Sequence, residues 1–256
     1  MKPDNRKPAQ TTSDPINTDH LKEYGDWAIV TGGSSGIGQG LTRVLAESGV
    51  NCVIVSNQPR ELGLVKAELE AECGVRIEVC DTDLSRPDFI TDVRRVVSGR
   101  EIGILINNAS YGVVGPYLDN TLEQYFDLID VNIKAYLTLT HEYMPAMVER
   151  DQGALVYVSS LNATTPIARS SVYTATKAFE LYLGSAIWYE LEQTSVDVLQ
   201  IMPGPTRTGF QAKAGTKKAS WIKAPLELAR EALPHLGRSM YFIPDAENNV
   251  LAMSPA

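Results

Sequence analysis

Short runs of β-branched and other apolar residues alternate with helix-length segments from residue 26 onward, and this alternation constrains the fold most. Seven runs are predicted as strands: 27–30, 52–56, 76–80, 102–106, 154–159, 196–201 and one near 240–243. Several are almost continuously apolar, which is typical of strands buried on both faces of a parallel sheet. The alternation predicts an α/β fold, a doubly wound parallel sheet (Rossmann fold) of about seven strands with helices on both faces.

Local signals place the helices between these strands. A helix is predicted over 36–48, and Pro59 and Pro87 suit the first turns of two others, where the missing N–H costs nothing. Thr121 and Gln124 have capping-box spacing before a long helix that runs toward residue 150. A second long helix is predicted over 170–193.

Composition bounds the class of protein. The 256 residues are 44% hydrophobic and 21% charged, and no repeat or linker interrupts 24–245. We therefore expect one domain over 23–256, preceded by a flexible polar arm over 1–22. The net charge of −8 argues against nucleic-acid binding.

Other signals argue against a membrane anchor, a secreted protein or a metal site. No apolar run reaches the ~20 residues of a membrane span, and the first 20 residues contain no apolar segment typical of a signal peptide. Three cysteines without metal-ligand spacing, and three histidines far apart in sequence, predict a cytoplasmic protein with free thiols and no metal.

The segment VTGGSSGIGQG at 30–40 admits two chemistries. Its G-x-S-x-G pattern would make Ser34 a hydrolase nucleophile, which requires an acid and a histidine later in the chain. The same segment follows a strand and opens a helix, the context of a phosphate-binding turn. The turn residues that would then contact a cofactor are Gly32, Ser34, Ser35, Gly36, Ile37 and Gly38.

Tyr173 and Lys177 lie four residues apart on a predicted helix and so share one face of it. An ammonium near a phenol lowers the phenol pKa, and a tyrosine so tuned can exchange a proton with a carbonyl or alcohol oxygen. Further candidate residues lie at or near the carboxyl ends of strands, where open parallel sheets bind ligands. They are Asn107, Asn108, Ser159, Ser160, Pro203 and Gly204, with Asn132 in a following helix.

In this order and spacing, the motifs resemble the short-chain dehydrogenase/reductase family over about residues 24–245. The motifs are TGGSSGIG (31–38), DL (83–84), NNAS (107–110), Asn132, SS (159–160), YTATK (173–177) and PGPTRT (203–208). The segments YGDWAIVTG, IGILINNAS and MPAMVERDQGALVYVSS are most similar to the hydroxysteroid dehydrogenase and 3-oxoacyl reductase branch.

The resemblance implies a role for each matching residue. Tyr173 would be the general acid/base, Lys177 would lower its pKa and bind the nicotinamide ribose, Ser160 would hold the substrate oxygen, and Asn132 would support a proton relay. The implied cofactor contacts are Asn108, Ala109 and Ser110 at the ribose, Asp83 and Leu84 at the adenine, and Pro203, Gly204, Thr206 and Thr208 at the nicotinamide. Ser110 departs from the family, which usually has glycine there, so a slight backbone displacement is expected.

The end of the second predicted strand bears on the choice of nicotinamide cofactor. NAD enzymes place a carboxylate there for the ribose hydroxyl, whereas this chain has Ser56 and Asn57, with Arg60 following. Hydroxyl and amide donors with a nearby cation suit a 2′-phosphate. The sequence thus favours NADP(H) over NAD(H).

The leading functional hypothesis is an oxidoreductase interconverting a ketone and a secondary alcohol, with a small and apolar substrate. Its alternatives are a catalytically silent dinucleotide-binding sensor or scaffold and, more remotely, a serine hydrolase using Ser34. A homodimer or homotetramer is expected through the helices at 121–150 and 170–193, where Tyr182, Ile187, Trp188 and Leu191 suit either the core or an interface. The segment 204–222, with Phe210 and Trp221, is expected to cover the substrate pocket.

Overall fold

The computed structural model describes residues 18–206 and 223–244 of the chain. Seven strands form one sheet in the order β3-β2-β1-β4-β5-β6-β7, and every neighbouring pair is parallel. The strands are β1 (Trp27–Thr31), β2 (Asn51–Ser56), β3 (Ile77–Asp81), β4 (Ile102–Asn107), β5 (Gly153–Val158), β6 (Val196–Ile201) and β7 (Tyr241–Phe242). The predicted doubly wound sheet is confirmed, and each strand lies within two residues of its predicted bounds.

Helices cover both faces of the sheet. They are α1 (Gly36–Glu47), α2 (Pro59–Cys73), α3 (Phe89–Val97), α4 (Leu122–Ile129), α5 (Ala135–Glu149), α6 (Ser171–Glu190) and α7 (Pro225–Ala232). Apolar side chains of α1, α2 and α7 form one buried layer, and those of α3, α5 and α6 form the other. The central strands are buried on both faces, which explains their continuous apolar runs.

Two helix starts were predicted correctly and one was not. Pro59 is the first residue of α2, and Thr121 forms a reciprocal capping box with Gln124 at the start of α4. Pro87 lies outside the first turn of α3, because Asp88 caps that helix and its first residue is Phe89.

The predicted long helix over 121–150 has a break in its hydrogen-bonding pattern. A π-helical turn, Asp130–Lys134, joins α4 to α5, so that the Ala135 N–H bonds the carbonyl of Asp130. Such turns are rare and occur frequently at functional sites. The turn contains Asn132, whose buried side chain bonds to groups outside the helix, as described below.

Only the last residues of the predicted arm over 1–22 lie in the described part of the chain. Residues 1–17 lie outside the described residues, but Asp19–Tyr24 forms a 3₁₀ helix. Its Leu21 is fully buried in the layer formed with α1 and α2, and this burial anchors the segment.

The structure divides the apolar residues of α6 that the sequence left undecided. Ile187 and Leu191 are buried beneath the sheet, and Trp188 packs partly against the same layer. Tyr182 is 74% exposed.

All three cysteines are free thiols. No helix in residues 18–206 and 223–244 is long and apolar enough to cross a membrane.

The strand order fixes where a ligand can bind. The chain passes from β1 outward to β2 and β3, then returns across the sheet to β4 beside β1. Beyond the carboxyl ends of β1 and β4 the connections therefore diverge to opposite sides and leave a crevice. The glycine-rich segment follows β1, and the Asn108 segment follows β4, so both line this crevice.

Candidate active site and dinucleotide site

The glycine-rich turn packs so closely that side chains do not fit. Gly32 has φ +66°, and a Cβ on Gly38 would lie 2.2 Å from the Gly32 carbonyl oxygen. Ser35 caps α1 with its backbone but no side-chain hydrogen bond. The first N–H groups of α1, at Gly36, Ile37 and Gly38, have no acceptor within the helix and are available to bind an anion at the positive end of its dipole. The turn fits the pyrophosphate of a dinucleotide.

Ser34 lies in this turn with its hydroxyl 2.8 Å from that of Ser56, and both side chains are buried. Within the described residues, no histidine forms a hydrogen bond with Ser34. A nucleophilic serine needs a base within hydrogen-bond reach. The geometry therefore favours a cofactor-lining role over the hydrolase interpretation.

A hydrogen-bond network joins the segment after β4 to the end of β1. The hydroxyl of Thr31 accepts from the backbone N–H groups of Asn108 and Ala109, at 2.9 and 3.0 Å. The Asn108 side chain in turn donates to the Thr31 carbonyl at 2.8 Å. It occupies the space that a Cβ on Gly38 would need, so glycine at 38 and asparagine at 108 depend on each other.

Beyond β2 and β3, the candidate adenosine contacts also come together. The Asn57 amide donates to Asp83, and Asp83 accepts two further bonds from Ser85. Burial raises the pKa of Asp83, but these hydrogen bonds outweigh it and hold the pKa below its usual value. Leu84 is buried beside them. Arg60, in the first turn of α2, is exposed and forms no hydrogen bond or ion pair with any described residue.

At the carboxyl end of β5, two adjacent serines have different partners. The Ser159 hydroxyl donates to the Lys177 carbonyl at 2.8 Å and so attaches α6 to the strand. The Ser160 hydroxyl accepts from the Asn162 N–H and hydrogen-bonds the Tyr173 hydroxyl. Only Ser160 is therefore placed to hold an oxygen together with Tyr173.

Lys177 is almost completely buried at 2% exposure, and its ammonium is fixed by two partners. It donates to the Val158 carbonyl at 3.0 Å and to the Glu180 carboxylate at 2.9 Å. The ammonium lies 5.8 Å from the centre of the Tyr173 ring. The predicted Tyr–Lys pair is thus in contact, with an acidic partner that the sequence analysis did not identify.

That partner changes the expected acidity of Tyr173. The sequence predicted a pKa lowered by Lys177, but burial and the negative charge of Glu180 raise the pKa of Tyr173 above its usual value, although the Ser160 hydrogen bond lowers it. The largest cause is burial, which disfavours the charged phenolate, and the negative charge of Glu180 adds to it. The sequence did contain a signal for the Lys177–Glu180 pair, namely an acidic residue three positions after a lysine on the inward face of a helix.

The Asn132 side chain links its own π-helical turn to the segment after β4 and to α6 by hydrogen bonds. Its side chain accepts from the Tyr111 N–H and donates to the Tyr111 carbonyl and to the Thr176 hydroxyl, at 2.8, 3.0 and 3.0 Å. The Ser110 hydroxyl also approaches its oxygen at 3.4 Å. The side chain where the family usually has glycine therefore adds a contact with Asn132.

The segment after β6 completes the described part of the site. The Pro203 carbonyl accepts from the Leu161 N–H, next to Ser160, at 3.1 Å. Thr206 is buried, and its hydroxyl donates to the Gly204 carbonyl at 3.1 Å. Thr208, Phe210 and Trp221 lie outside the described residues.

Substitution of Gly38 tests the fit of the turn. We expect Gly38→Ala to destabilise the protein by at least about 2 kcal/mol, because the new methyl group overlaps backbone that cannot move freely. The variant should also lose the rise in melting temperature caused by NADPH. Thermal unfolding with and without NADPH measures both effects.

Gly63→Ala is the matched control for this prediction. Gly63 lies within α2, and a Cβ there meets no atom within 4 Å. Alanine should therefore raise stability slightly, by up to ~1 kcal/mol, and preserve the NADPH effect. Retention of the NADPH effect in Gly38→Ala would contradict the proposed location of the pyrophosphate.

The sheet, the glycine turn at its switch point and the Ser–Tyr–Lys cluster define a dinucleotide-binding protein of the doubly wound class. A family model described as short chain dehydrogenase matches residues 26–219. The chain therefore belongs to the short-chain dehydrogenase/reductase family, and the resemblance inferred from its motifs is confirmed.

Three known proteins show how close the similarity is. The chain is 29% identical to human inactive hydroxysteroid dehydrogenase-like protein 1, over 86% of this chain and 68% of that protein. It is 30% identical to bovine very-long-chain 3-oxoacyl-CoA reductase, over 83% and 69%. Among solved structures, a short-chain dehydrogenase from Sphingobium yanoikuyae in complex with NADPH is 31% identical, with a TM-score of 0.82 over 89% of this chain and 92% of that chain.

Proposed function

We propose that this protein is an NADP(H)-dependent oxidoreductase that interconverts a ketone and a secondary alcohol. The observation that carries the proposal is the hydrogen-bonded pair of Tyr173 and Ser160, with Lys177 one helical turn further on. These groups lie at the carboxyl edge of the same sheet as the glycine turn. Relatives named for hydroxysteroids and 3-oxoacyl-CoA support an apolar carbonyl substrate.

The proposed chemistry follows from the hydroxyl pair. The hydride that reduces the carbonyl carbon would come from NADPH when the cofactor is bound. Tyr173 donates its hydroxyl proton to the carbonyl oxygen, which becomes the alcohol, and Ser160 holds that oxygen during the transfer. For alcohol oxidation, the Tyr173 phenolate accepts the proton. Asn132 holds two parts of the site in place: it bonds Tyr111 in the segment after β4, and it bonds Thr176 on α6.

The cofactor would lie across the crevice between the two halves of the sheet. We propose that the α1 amino terminus binds its pyrophosphate, that Asp83 and Leu84 contact adenine, and that Asn108, Ala109 and Ser110 flank the ribose. Lys177 has one N–H left for the nicotinamide ribose, since two of its three donors are used within the described residues. Pro203, Gly204 and Thr206 would border the nicotinamide.

Preference for NADP(H) rests on the end of β2. The Ser34 and Ser56 hydroxyls meet there, Asn57 is exposed, and residues 56–60, where β2 ends, include no carboxylate, although Asp83 from the segment after β3 accepts a bond from Asn57. Arg60, three residues after Asn57 in the first turn of α2, forms no hydrogen bond or ion pair with any described residue. A guanidinium in this position suits a phosphate, which it can bind with two N–H groups.

We expect Arg60→Ala to weaken NADPH binding about tenfold or more and to leave NADH binding unchanged. The reason is that charge-assisted bonds to phosphate contribute ~1.5–3 kcal/mol, and NADH lacks that phosphate. Calorimetric titration of both nucleotides measures the difference. Arg230→Ala, at the opposite end of α1 where Arg230 pairs with Glu47, should leave both affinities unchanged. Equal losses for NADPH and NADH would contradict the assignment of Arg60.

A second candidate, a dinucleotide-binding protein without turnover, is favoured by the relatives named inactive. NADPH consumption at 340 nm over a panel of steroid, acyl and aromatic ketones separates the two. Ketone-dependent consumption that Tyr173→Phe abolishes supports the oxidoreductase. Tight NADPH binding without turnover of any ketone, or of any alcohol with NADP⁺, supports the silent alternative.

A further inference from the structure

Glu180 is a buried acid next to the candidate catalytic groups, and the chemistry proposed above does not use it. It lies on α6 with 0% exposure, and its Oε2 accepts the hydrogen bond from Lys177 Nζ. Its other oxygen, Oε1, has no hydrogen-bond partner in the described part of the chain. Burying a carboxyl group is costly unless the group is paired, so its position requires an explanation.

The groups around Glu180 form one electrostatic unit. On its own helix, α6, Glu180 faces Lys177 and Tyr173. On α5 it faces Tyr136, which lies near Tyr157 of β5. The Lys177 ammonium lies 5.8 Å from the Tyr173 ring centre and 6.0 Å from that of Tyr136. Lys177 is the one cation among the described residues that acts on Glu180. Glu180 is also the one charged group in the described part of the chain that acts on the pKa of Tyr173, so a change in the charge of Glu180 changes that pKa.

We propose that Glu180 is a positioning residue of the active site that fixes the Lys177 ammonium and offsets its charge, and thereby controls how readily Tyr173 releases its proton. The inference rests on the oxidoreductase function proposed above. The carboxyl group acts through Lys177 and through space, without touching the reacting oxygen.

The two protonation states of Glu180 favour opposite directions of the reaction. The carboxylate raises the pKa of Tyr173 and so favours the phenol, the form that donates a proton when a ketone is reduced. Protonated Glu180 leaves the Lys177 charge without compensation, which favours the phenolate needed for alcohol oxidation. Burial raises the pKa of Glu180 to about 7 against the opposing effect of Lys177, so both states are accessible near neutral pH.

Glu180→Gln is the sharpest test, because glutamine keeps the size and an oxygen for Lys177 but carries no charge. We expect the inflection in kcat/KM for alcohol oxidation to move to lower pH by about one unit or more, which corresponds to a rate about tenfold higher below the inflection. KM for NADP⁺ should stay within a few-fold. The control is Glu190→Gln, the same change at an exposed position of α6, which should leave the profile unchanged. An unchanged inflection in Glu180→Gln, or an equal loss of rate at every pH, would overturn the proposal.

A measurement without turnover separates this inference from the proposed function. In protein labelled with ¹³C at tyrosine Cζ, the Tyr173 resonance, assigned with Tyr173→Phe, should step near pH 7 in the wild type but not in Glu180→Gln. If no ketone or alcohol reacts, the oxidoreductase proposal fails, yet this step would still uphold the control of Tyr173 by Glu180. A Tyr173 resonance without that step would overturn the inference even in an active enzyme.

Discussion

Tyr173→Phe is expected to lower kcat for ketone reduction by about 10²- to 10⁴-fold, the usual contribution of a positioned general acid or base. The substitution removes only the hydroxyl that bonds Ser160 and leaves the ring next to the Lys177 ammonium. The affinity for NADPH, measured by fluorescence titration, should stay within a few-fold. Steady-state rates at saturating NADPH give the change in kcat.

A second tyrosine on the same helix supplies the control for this prediction. Tyr182 is exposed, and Tyr182→Phe removes the same hydroxyl outside the site. Its kcat should equal that of the wild type. Full activity of Tyr173→Phe, with NADPH still bound, would contradict the assignment of Tyr173 as general acid/base.

Lys177→Met is expected to lower the free energy of unfolding by about 3–5 kcal/mol at pH 8, because it leaves the buried Glu180 charge without a partner. Removing both charges in Lys177→Met/Glu180→Leu should restore most of this stability, since an apolar pair of similar volume replaces a buried ion pair at little cost. Activity should remain lost in the double variant. Urea unfolding of the three proteins measures the free energies.

The loss of unfolding free energy caused by Lys177→Met should be smaller at low pH than at high pH. The pKa of Glu180 in the folded wild type, about 7, lies above its ordinary value of 4.5, so the folded state binds more protons between these values. Stability from this group therefore falls as pH rises from about 4.5 to 7. Without Lys177, which lowers this pKa, the fall extends to higher pH, and the variant should be destabilised less at pH 5 than at pH 8.

Two outcomes would contradict this account of the pair. One is equal destabilisation of Lys177→Met at both pH values, and the other is a double variant no more stable than the single one. Lys22→Met provides the surface comparison, since Lys22 pairs with Asp26 at 2.7 Å while both remain solvated. Its stability should change little at either pH, because exposed pairs contribute little.

Most of the fold was predictable because its signals are local. The bounds of β6, the proline at the start of α2 and the Thr121–Gln124 cap depend on neighbours in the chain, and each was correct. The π-helical turn at Asp130–Lys134 was not predicted. Asn132 there bonds Tyr111 and Thr176, which lie 21 and 44 residues away, and the sequence pattern carries no trace of those bonds.

The candidate site divides in the same way. By itself, the sequence determined the fold class, and it predicted that the glycine-rich turn, Ser160, Tyr173 and Lys177 lie at one edge of the sheet, because strand ends and helical spacing place such residues there. The tertiary structure decided that Ser34 meets Ser56, that Ser159 anchors α6, and that Glu180 pairs with Lys177. Charge and acidity depend on burial and on distances of a few ångströms, which packing sets and a linear pattern does not contain.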